Sequence, residues 1–454
     1  MSLYELANDS GVEFILFSYG SLVGECKTCL VPTHSLQNYK TDQVCFSSTN
    51  DYMINPQQYN FNLVPDVSTF IILPWKKTFA WILCNISYNG KPFAQCPRTI
   101  LQKLRTEALD MGYLMKCGFE PEFTLLNEDG SALADPLESR FECNHHQTRA
   151  IMSFEPFLTE VHDAMHTLGW APYMIISEAS PCQYEINFNF FDVLLMADRM
   201  CFLKFMIKEV ARKHGFLATF MPMPFQNYPC ANGLHTNMSI WKASGEEINL
   251  LPGLQSSDDD DDGGRTERLF GLSKLAYNFI AGLLSHVEES CAIVCPTVNS
   301  YKRLKLEKFC SNMITWGGND KTVLLRVPNS ESISRSVWNG CLFQKGQPRR
   351  AVVREPICSR LSSSIQADLC NTSTSATTIA ESSSTSNPNF NPKTNPKSVP
   401  ESLLEALQKL ESSEFLREKL GTQLVDAFVE LKKKEWRDYS AHFTKWEKEK
   451  YWNC

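Results

Sequence analysis

The chain has no long apolar run. Apolar stretches such as Phe70–Trp75 and Phe79–Ile86 have strand length, far short of the roughly 18 residues that a membrane span needs. No basic region followed by an apolar core opens the chain. Met1–Ser10 carries acids instead, so no signal peptide is expected. Basic charge is not in excess either: 44 Lys and Arg face 51 Asp and Glu, a net of -7. That balance argues against nucleic-acid or membrane-surface binding. The 17 cysteines are scattered and form no pair of CxxC motifs, so reduced thiols in the cytoplasm are expected rather than a disulfide or zinc scaffold. Walker and protein kinase signatures are also missing. What is present is ample core material, with 43% hydrophobic and 21% charged residues over 454 positions, enough for about two or three domains.

The first ninety-odd residues suggest short strands: Val12–Tyr19, Phe70–Leu73 and Trp81–Ile86 are β-branched and aromatic, and Gly, Pro and Asn interrupt them. Helical periodicity starts after Pro97, over Arg98–Met111, and Gly112 stops it. Strands are expected at Gly118–Leu126 and Tyr173–Ser177, with a helix over Phe157–Leu168 between them. The clearest helix spans Met196–His214, with Met196, Met200, Leu203, Ile207 and Val210 on one face and Gly215 as its cap. Ser256–Gly264 is an acidic surface loop, and Ser359–Ser398, dominated by Ser, Thr, Asn and Pro, should be disordered. Glu401–Leu410 and Glu414–Lys434 are amphipathic. Their apolar stripes suit packing onto the domain.

Four segments could carry chemistry. In Phe119–Phe123, strand alternation would project Glu120 and Glu122 from one face, and two acids on one face repel unless a cation lies between them. Glu178 and Glu185 bracket a turn at Ser180–Gln183. Ala231–Ser239 runs from a small-residue loop past His235. Asn299–Arg303, Lys321 and Arg326 bring cations, the last on an apolar strand expected at Thr322–Val327, and phosphate or carboxylate is their natural counterion. Carboxylates with one imidazole make a hard site suited to Mg²⁺ or Mn²⁺. Such metals beside converging cations suit phosphoryl transfer.

The order of Phe119–Phe123 (FEPEF), Glu178–Glu185 (EASPCQYE), Ala218–Phe225 (ATFMPMPF), Gly233–Ser239 (GLHTNMS) and Asn299–Leu304 (NSYKRL) resembles the glutamine synthetase family. The branch it resembles holds the γ-glutamyl-polyamine ligases and lengsin. The resemblance implies an α+β fold: an N-terminal β-grasp domain over 1–96, then a large catalytic α/β domain from 97 to 335 with a curved, barrel-like antiparallel sheet. A divergent, largely disordered segment would follow over 336–399, then the catalytic domain's C-terminal helices over 400–454. It implies a ring-type homo-oligomer, with active sites between neighbours, that joins glutamate to ammonia or an amine at the expense of ATP. Residue by residue, it implies that Glu122, Glu178 and Glu185 hold one Mg²⁺ or Mn²⁺ and that Glu120 and His235 hold a second. Arg303 would bind the glutamate carboxylate, Arg326 phosphate oxygens and Ser239 the nucleotide, with Asn232 and Gly233 lining the glutamate pocket. Lys321 stands for a catalytic Arg, keeping its charge.

Departures from the family pattern bear on the substrate. Ser47 stands where ammonia-using members keep an Asp. Phe309 replaces the Glu of their mobile flap, as in amine-using relatives, and Cys230 replaces a pocket Asn. After Arg335 the family's Arg-Ile-Glu-x-Arg strand is lost, with Val337 in the place of a ligand to the second metal and Asn339 in that of a catalytic Arg. Arg349–Arg354 (RRAVVR) resembles the missing motif, but it lies far downstream and has Val352 instead of the acid. These losses leave a second expectation, a non-catalytic, lengsin-like structural or chaperone protein on the same scaffold.

Overall fold

The computed structural model describes residues 2–38, 43–46, 61–140, 144–225, 231–244, 248–251, 270, 272–305, 312–318, 322–328, 351–353 and 397–452. Ser47, Cys230, Phe309, Lys321, Arg335–Asn339 and the acidic loop Ser256–Gly264 lie outside them, as does nearly all of Ser359–Ser398. Helix α1 (Leu3–Asp9) opens the fold, with Ser2 and Glu5 closing a capping box. A seven-stranded sheet follows, made of β1 (Phe14–Gly20), β2 (Cys26–Pro32), β3 (Val44–Phe46), β4 (Phe61–Pro65), β5 (Ile71–Leu73), β6 (Lys76–Tyr88) and β7 (Lys91–Pro92). The strands expected around Val12–Tyr19 and Trp81–Ile86 are β1 and the centre of β6, which pair in parallel. Cys26 and Cys29, three apart on β2, fall on opposite faces. All the described cysteines are free thiols.

Helix α2 (Pro97–Asp110) joins this sheet to a nine-stranded one. Pro97 starts it, where the missing N–H costs nothing, and Gly112 ends it with φ +87. The second sheet comprises β8 (Tyr113–Asn127), β9 (Pro172–Ser177), β10 (Gln183–Phe188), β11 (Phe191–Asp192), β12 (Phe216–Thr219), β13 (Leu234–Lys242), β14 (Trp316–Gly317), β15 (Leu325–Arg326) and β16 (Ala351–Val353). Between β8 and β9 run α3 (Thr148–Ser153) and α4 (Glu155–Thr167). Helix α5 (Val193–Lys213) follows β11 and buries Met196, Met200, Leu203, Ile207 and Val210 as its periodicity predicts. Helices α6 (Lys274–Val294) and α7 (Val298–Leu304) precede β14.

Two findings differ from the sequence reading. The apolar run Thr322–Val327 yields only the two-residue β15. The downstream Ala351–Val353, inside RRAVVR, fills the sheet position between β13 and β15, with Val352 in register with both Asn237 and Arg326. Distance along the chain does not forbid this, because the entropy of closing a loop grows only slowly with its length. Lys397 and Val399 pair with the segment before β14: the Lys397 C=O accepts the Ile314 N–H at 2.9 Å, and the Val399 N–H reaches the Asn312 C=O at 2.8 Å.

The C-terminal stretch forms α8 (Leu403–Ser412), α9 (Glu414–Leu420), α10 (Thr422–Ser440) and α11 (Lys445–Tyr451). Glu414–Lys434 is therefore two helices, broken at Gly421 with φ +87. The expected stripe (Leu403, Leu407, Leu410, Leu416, Leu420, Leu424 and Phe428) is buried, and Leu404 is half-buried. It packs into one cluster with Ile15, Phe17, Ile82 and Ile86 of the first sheet, Ile100 and Leu104 of α2, and Cys291 and Ile293 of α6. A second cluster fills the space between the nine-stranded sheet and helices α4, α5 and α6.

Candidate active site

Alternation on three neighbouring strands builds the site. Phe119, Phe123, Tyr184, Ile186, Met238 and Ile240 enter the core beneath the nine-stranded sheet. Their neighbours in sequence must face the other way. The opposite face therefore carries Glu120 and Glu122 on β8, Glu185 on β10 and His235 on β13. Register brings them side by side: Glu185 pairs with Glu122, and His235 pairs with Glu120. Ligand atoms of Glu120, Glu185 and His235 lie within 4.8 Å of one another. His235 Nδ1 is 3.3 Å from Glu120 Oε2 and 3.9 Å from Glu122 Oε1.

Amides hold these carboxylates in place. Gln183 Nε2 and the Gly233 N–H both donate to Glu122 Oε2 at 2.8 Å. Asn237 Nδ2 donates to Glu120 Oε1, and Asn187 Nδ2 to Glu185 Oε1, each at 2.8 Å. The sequence reading did not single out Gln183, Asn187 or Asn237. A signal was available, because Gln183, Glu185 and Asn187 alternate on one strand just as His235 and Asn237 do.

Burial pushes the Glu120 carboxyl up, but the His235 hydrogen bond and charge, the Asn237 amide and the Arg326 charge outweigh it and hold the group below its ordinary value. Glu185 goes the other way: burial, then the charges of Glu120, Glu122 and Glu178, push it well above the carboxylate range despite the Asn187 bond. A buried face that cannot ionise all its acids lacks positive charge, and a hard divalent cation supplies it. The donor set of carboxylates with one imidazole fits Mg²⁺ or Mn²⁺.

Glu178 is half-buried at the mouth of the β9–β10 turn, which forms as expected around Ser180–Gln183. Arg303 is buried at the last turn of α7. The Thr297 hydroxyl caps that helix by accepting the Ser300 N–H at 3.1 Å. Asn299 ties the helix to the Phe220–Phe225 segment, accepting from the Met223 N–H at 2.7 Å and donating to its C=O at 3.0 Å. Arg303 thereby meets the carboxylates at Gly233. A Cβ on that glycine would lie 2.9 Å from Arg303 Nη2, 3.2 Å from Glu122 Oε1 and 3.4 Å from His235 Nε2.

The Asn232 side chain is taken up by the fold. It accepts from Thr124 Oγ1 at 3.0 Å and donates to the C=O groups of Thr219 and Met221 at 3.3 and 2.9 Å. Arg326 lies on β15, close enough to Glu120 to lower its pKa. Ser239 sits four residues beyond His235 on the same face and accepts the Trp241 indole N–H at 2.8 Å. Beside it are groups the sequence reading passed over: the Lys116 ammonium lies 4.0 Å from the Trp241 ring centre, and Phe190 stacks on Trp241 at 6.0 Å. Gly118 lets Phe190 approach, since a Cβ there would be 3.2 Å from Phe190 Cβ. The face thus runs from an acidic, metal-suited end at Glu122 and Arg303 to an aromatic and cationic end at Trp241 and Lys116. Among the described residues no helix is long and apolar enough to cross a membrane.

Comparison with known proteins agrees with this geometry. The chain matches the sequence model of the glutamine synthetase catalytic domain over residues 94–338 and 377–451. It is 31% identical over 456 residues to a glutamine synthetase of Rhizobium leguminosarum bv. phaseoli, covering 99% of this chain and 98% of that one. It is 30% identical over 461 residues to a glutamate–methylamine ligase of Methyloversatilis universalis, covering 98% of each. The solved structure of apo GmaS aligns with a TM-score of 0.82 at 31% identity, covering 100% of both chains. The mixed helix-and-sheet architecture and the five ordered motifs therefore have one source: this chain belongs to the glutamine synthetase family.

Proposed function

We propose that the protein is an ATP-dependent carbon–nitrogen ligase that joins an amine, or ammonia, to the side-chain carboxylate of glutamate. The observation that carries this reading is the meeting of Arg303, Glu122 and His235 around Gly233, beside the buried cluster of Glu120, Glu185 and His235. A guanidinium against a carboxylate-rich, metal-suited face provides for an amino acid and a phosphoryl group at one point. In this reading the γ-phosphoryl group of ATP passes to the glutamate side-chain carboxylate. The amine nitrogen then attacks the acyl carbon, phosphate leaves and the nitrogen loses a proton. Glu122, Glu178 and Glu185 would hold one Mg²⁺ or Mn²⁺, and Glu120 and His235 the second. The metals would neutralise phosphate charge. Arg303 orients the glutamate carboxylate, Arg326 and Lys321 meet phosphate oxygens, and Ser239, beside Trp241 and Phe190, receives the nucleotide. Asn232 shapes the glutamate pocket through backbone contacts.

An amine is favoured over ammonia because Ser47 and Phe309 replace the acids that serve ammonium in the family. A cytoplasmic ring of subunits, with each β-grasp N-terminal domain completing its neighbour's site, follows from the same kinship. The sequence favours a second, non-catalytic, lengsin-like reading: Val337 and Val352, the two residues that align with the family acid, are both valine, and without that acid the second metal would be held more weakly. ADP release with glutamate, Mg²⁺ or Mn²⁺ and a panel of ammonia, methylamine and polyamines separates the two. Glutamate-dependent release that Glu122→Ala abolishes is the expected result. An assembled protein that releases no ADP with any amine sinks the ligase reading.

A further inference from the structure

Two of the carboxylates, Glu178 and Glu185, depend on the turn between β9 and β10, and that turn is held from outside the sheet. Cys182, at its tip, has φ +53, a left-handed backbone that side-chain-bearing residues rarely adopt. Such a conformation persists only where the surroundings over-determine it. The Cys182 N–H donates to Glu138 Oε2 at 2.6 Å, its C=O accepts the Leu125 N–H at 2.9 Å, and its Sγ accepts the Asp135 N–H at 3.4 Å. Glu138 is fully buried. Its other oxygen faces Arg149 Nη1 at 3.4 Å, and Arg149 Nη2 donates to Asn144 Oδ1 at 2.9 Å. Asn144 grips the same turn, its N–H reaching the Ala179 C=O at 3.2 Å and its C=O accepting the Ser177 hydroxyl at 2.9 Å. Asp135, Glu138, Asn144 and Arg149 thus clasp the hairpin tip. Gln183, next to Cys182, in turn holds Glu122.

We propose that Glu138, charge-paired with Arg149, is a positioning residue that sets Glu178, Gln183 and Glu185 for divalent-metal binding. Its side chain is fully buried and bonded to Cys182 and Arg149, so its role would be exerted through the turn. It fixes the Cys182 peptide, and with it the direction in which the turn delivers two carboxylates and the amide that orients a third. This rests on the metal site of the proposed ligase. Burying a carboxylate between a backbone donor and a half-exposed guanidinium 3.4 Å away is a costly way to hold a turn, and a turn that carried no ligands could use a water-exposed cap instead.

The test is Mn²⁺ binding to the full-length protein, followed by electron paramagnetic resonance with the metal alone. Glu138→Ala should weaken Mn²⁺ by about 10–100-fold, the range found for residues that orient metal ligands. Glu138→Gln, which keeps the acceptor for Cys182 and fits the same space, should recover most of that loss. In turnover, Glu138→Ala should raise the Mn²⁺ concentration for half-maximal rate and leave kcat at saturating Mn²⁺ within about two-fold. Asp198→Asn is the control. It breaks a charge pair with Arg98 that is buried on both sides and shares no hydrogen bond with the turn, so it should lower the melting temperature without moving Mn²⁺ affinity. If Glu138→Ala folds and binds Mn²⁺ like the wild type, the positioning role is wrong. Should that variant fail to fold, the Gln variant together with Arg149→Met decides, and wild-type affinity in both overturns the proposal. Wild-type protein that binds no Mn²⁺ overturns the metal site itself and this inference with it, a result distinct from either of the others.

Discussion

At the scale of the residue, Glu185 shows how a fold can be built around an absent charge. Its folded pKa is raised by burial and by Glu120, Glu122 and Glu178, so without metal its ionisation opposes folding. The sign follows from linkage. A carboxylate with a raised folded pKa costs nothing below its unfolded value of about 4.3, and the penalty grows as pH rises to the folded pKa. With metal chelated, Glu185→Gln should therefore melt together with the wild type in acid and above it at neutral and alkaline pH. Mn²⁺ should reverse the order, because only the wild type gains a ligand. Differential scanning fluorimetry across pH, with and without Mn²⁺, reads both halves, and a Gln variant less stable than the metal-free wild type at pH 8 would contradict the argument. Gly233 makes a second case. The Cβ of Gly233→Ala would press on Arg303 and Glu122, so the Michaelis constant for glutamate should rise at least about ten-fold with little change in melting temperature. The acids and His235 were legible because strand alternation predicts which residues share a face. Gln183, Asn187 and Asn237 were not. An amide has no preferred role until the strand opposite it is known, and register is not written in composition.

At the scale of the element, periodicity found α2, α4, α5 and the run from α8 to α10, passed over α1, α3, α6, α7 and α11, and missed one break. The apolar stripe runs on from Leu416 and Leu420 to Leu424 and Phe428, so nothing in its spacing reveals that Gly421 adopts φ +87. The glycine is needed there for its backbone alone, since a Cβ would meet nothing within 4 Å. Gly421→Ala should accordingly destabilise the protein by about 1–3 kcal/mol, the cost of a side chain in positive-φ extended backbone that glycine alone adopts readily, with no effect on metal affinity. Urea unfolding measures the first part and Mn²⁺ titration the second. Strand β16 is the converse case. RRAVVR resembled a family strand in sequence and was out of place in spacing, yet its Ala351–Val353 pairs with β13 and β15. A sheet recruits the segment that satisfies its open edge, and separation along the chain weighs little against ladder hydrogen bonds.

At the scale of the whole molecule, the two ends of the chain are one structure. The sequence suggested a leading β-rich domain and trailing helices that pack onto the catalytic domain. An amphipathic stripe tells that a helix is covered, not by what. The cluster that buries Leu403, Leu407, Leu410, Leu424 and Phe428 also buries Ile15, Phe17, Ile82 and Ile86 of the first sheet. At roughly 2 kcal/mol for each large apolar side chain buried, a handful of these contacts equals the whole net stability of about 5–15 kcal/mol that a folded domain has. A chain ending at Lys397 should therefore fail to yield soluble protein, because the apolar face of the N-terminal sheet is laid open along with the lost helices. Ending the chain at Ser440 is a different operation. Helix α11 buries none of its residues, and Phe443, Trp446 and Trp452 are 79%, 61% and 78% exposed. That shorter deletion should leave the melting temperature of the subunit within about 2 °C, as surface changes away from packed features do. Expression and thermal melting of the two truncations compare a shared core with an independent tail. A soluble, cooperatively melting chain that ends at Lys397 would mean that the first sheet holds its own core, and that the two ends are neighbours rather than one folding unit.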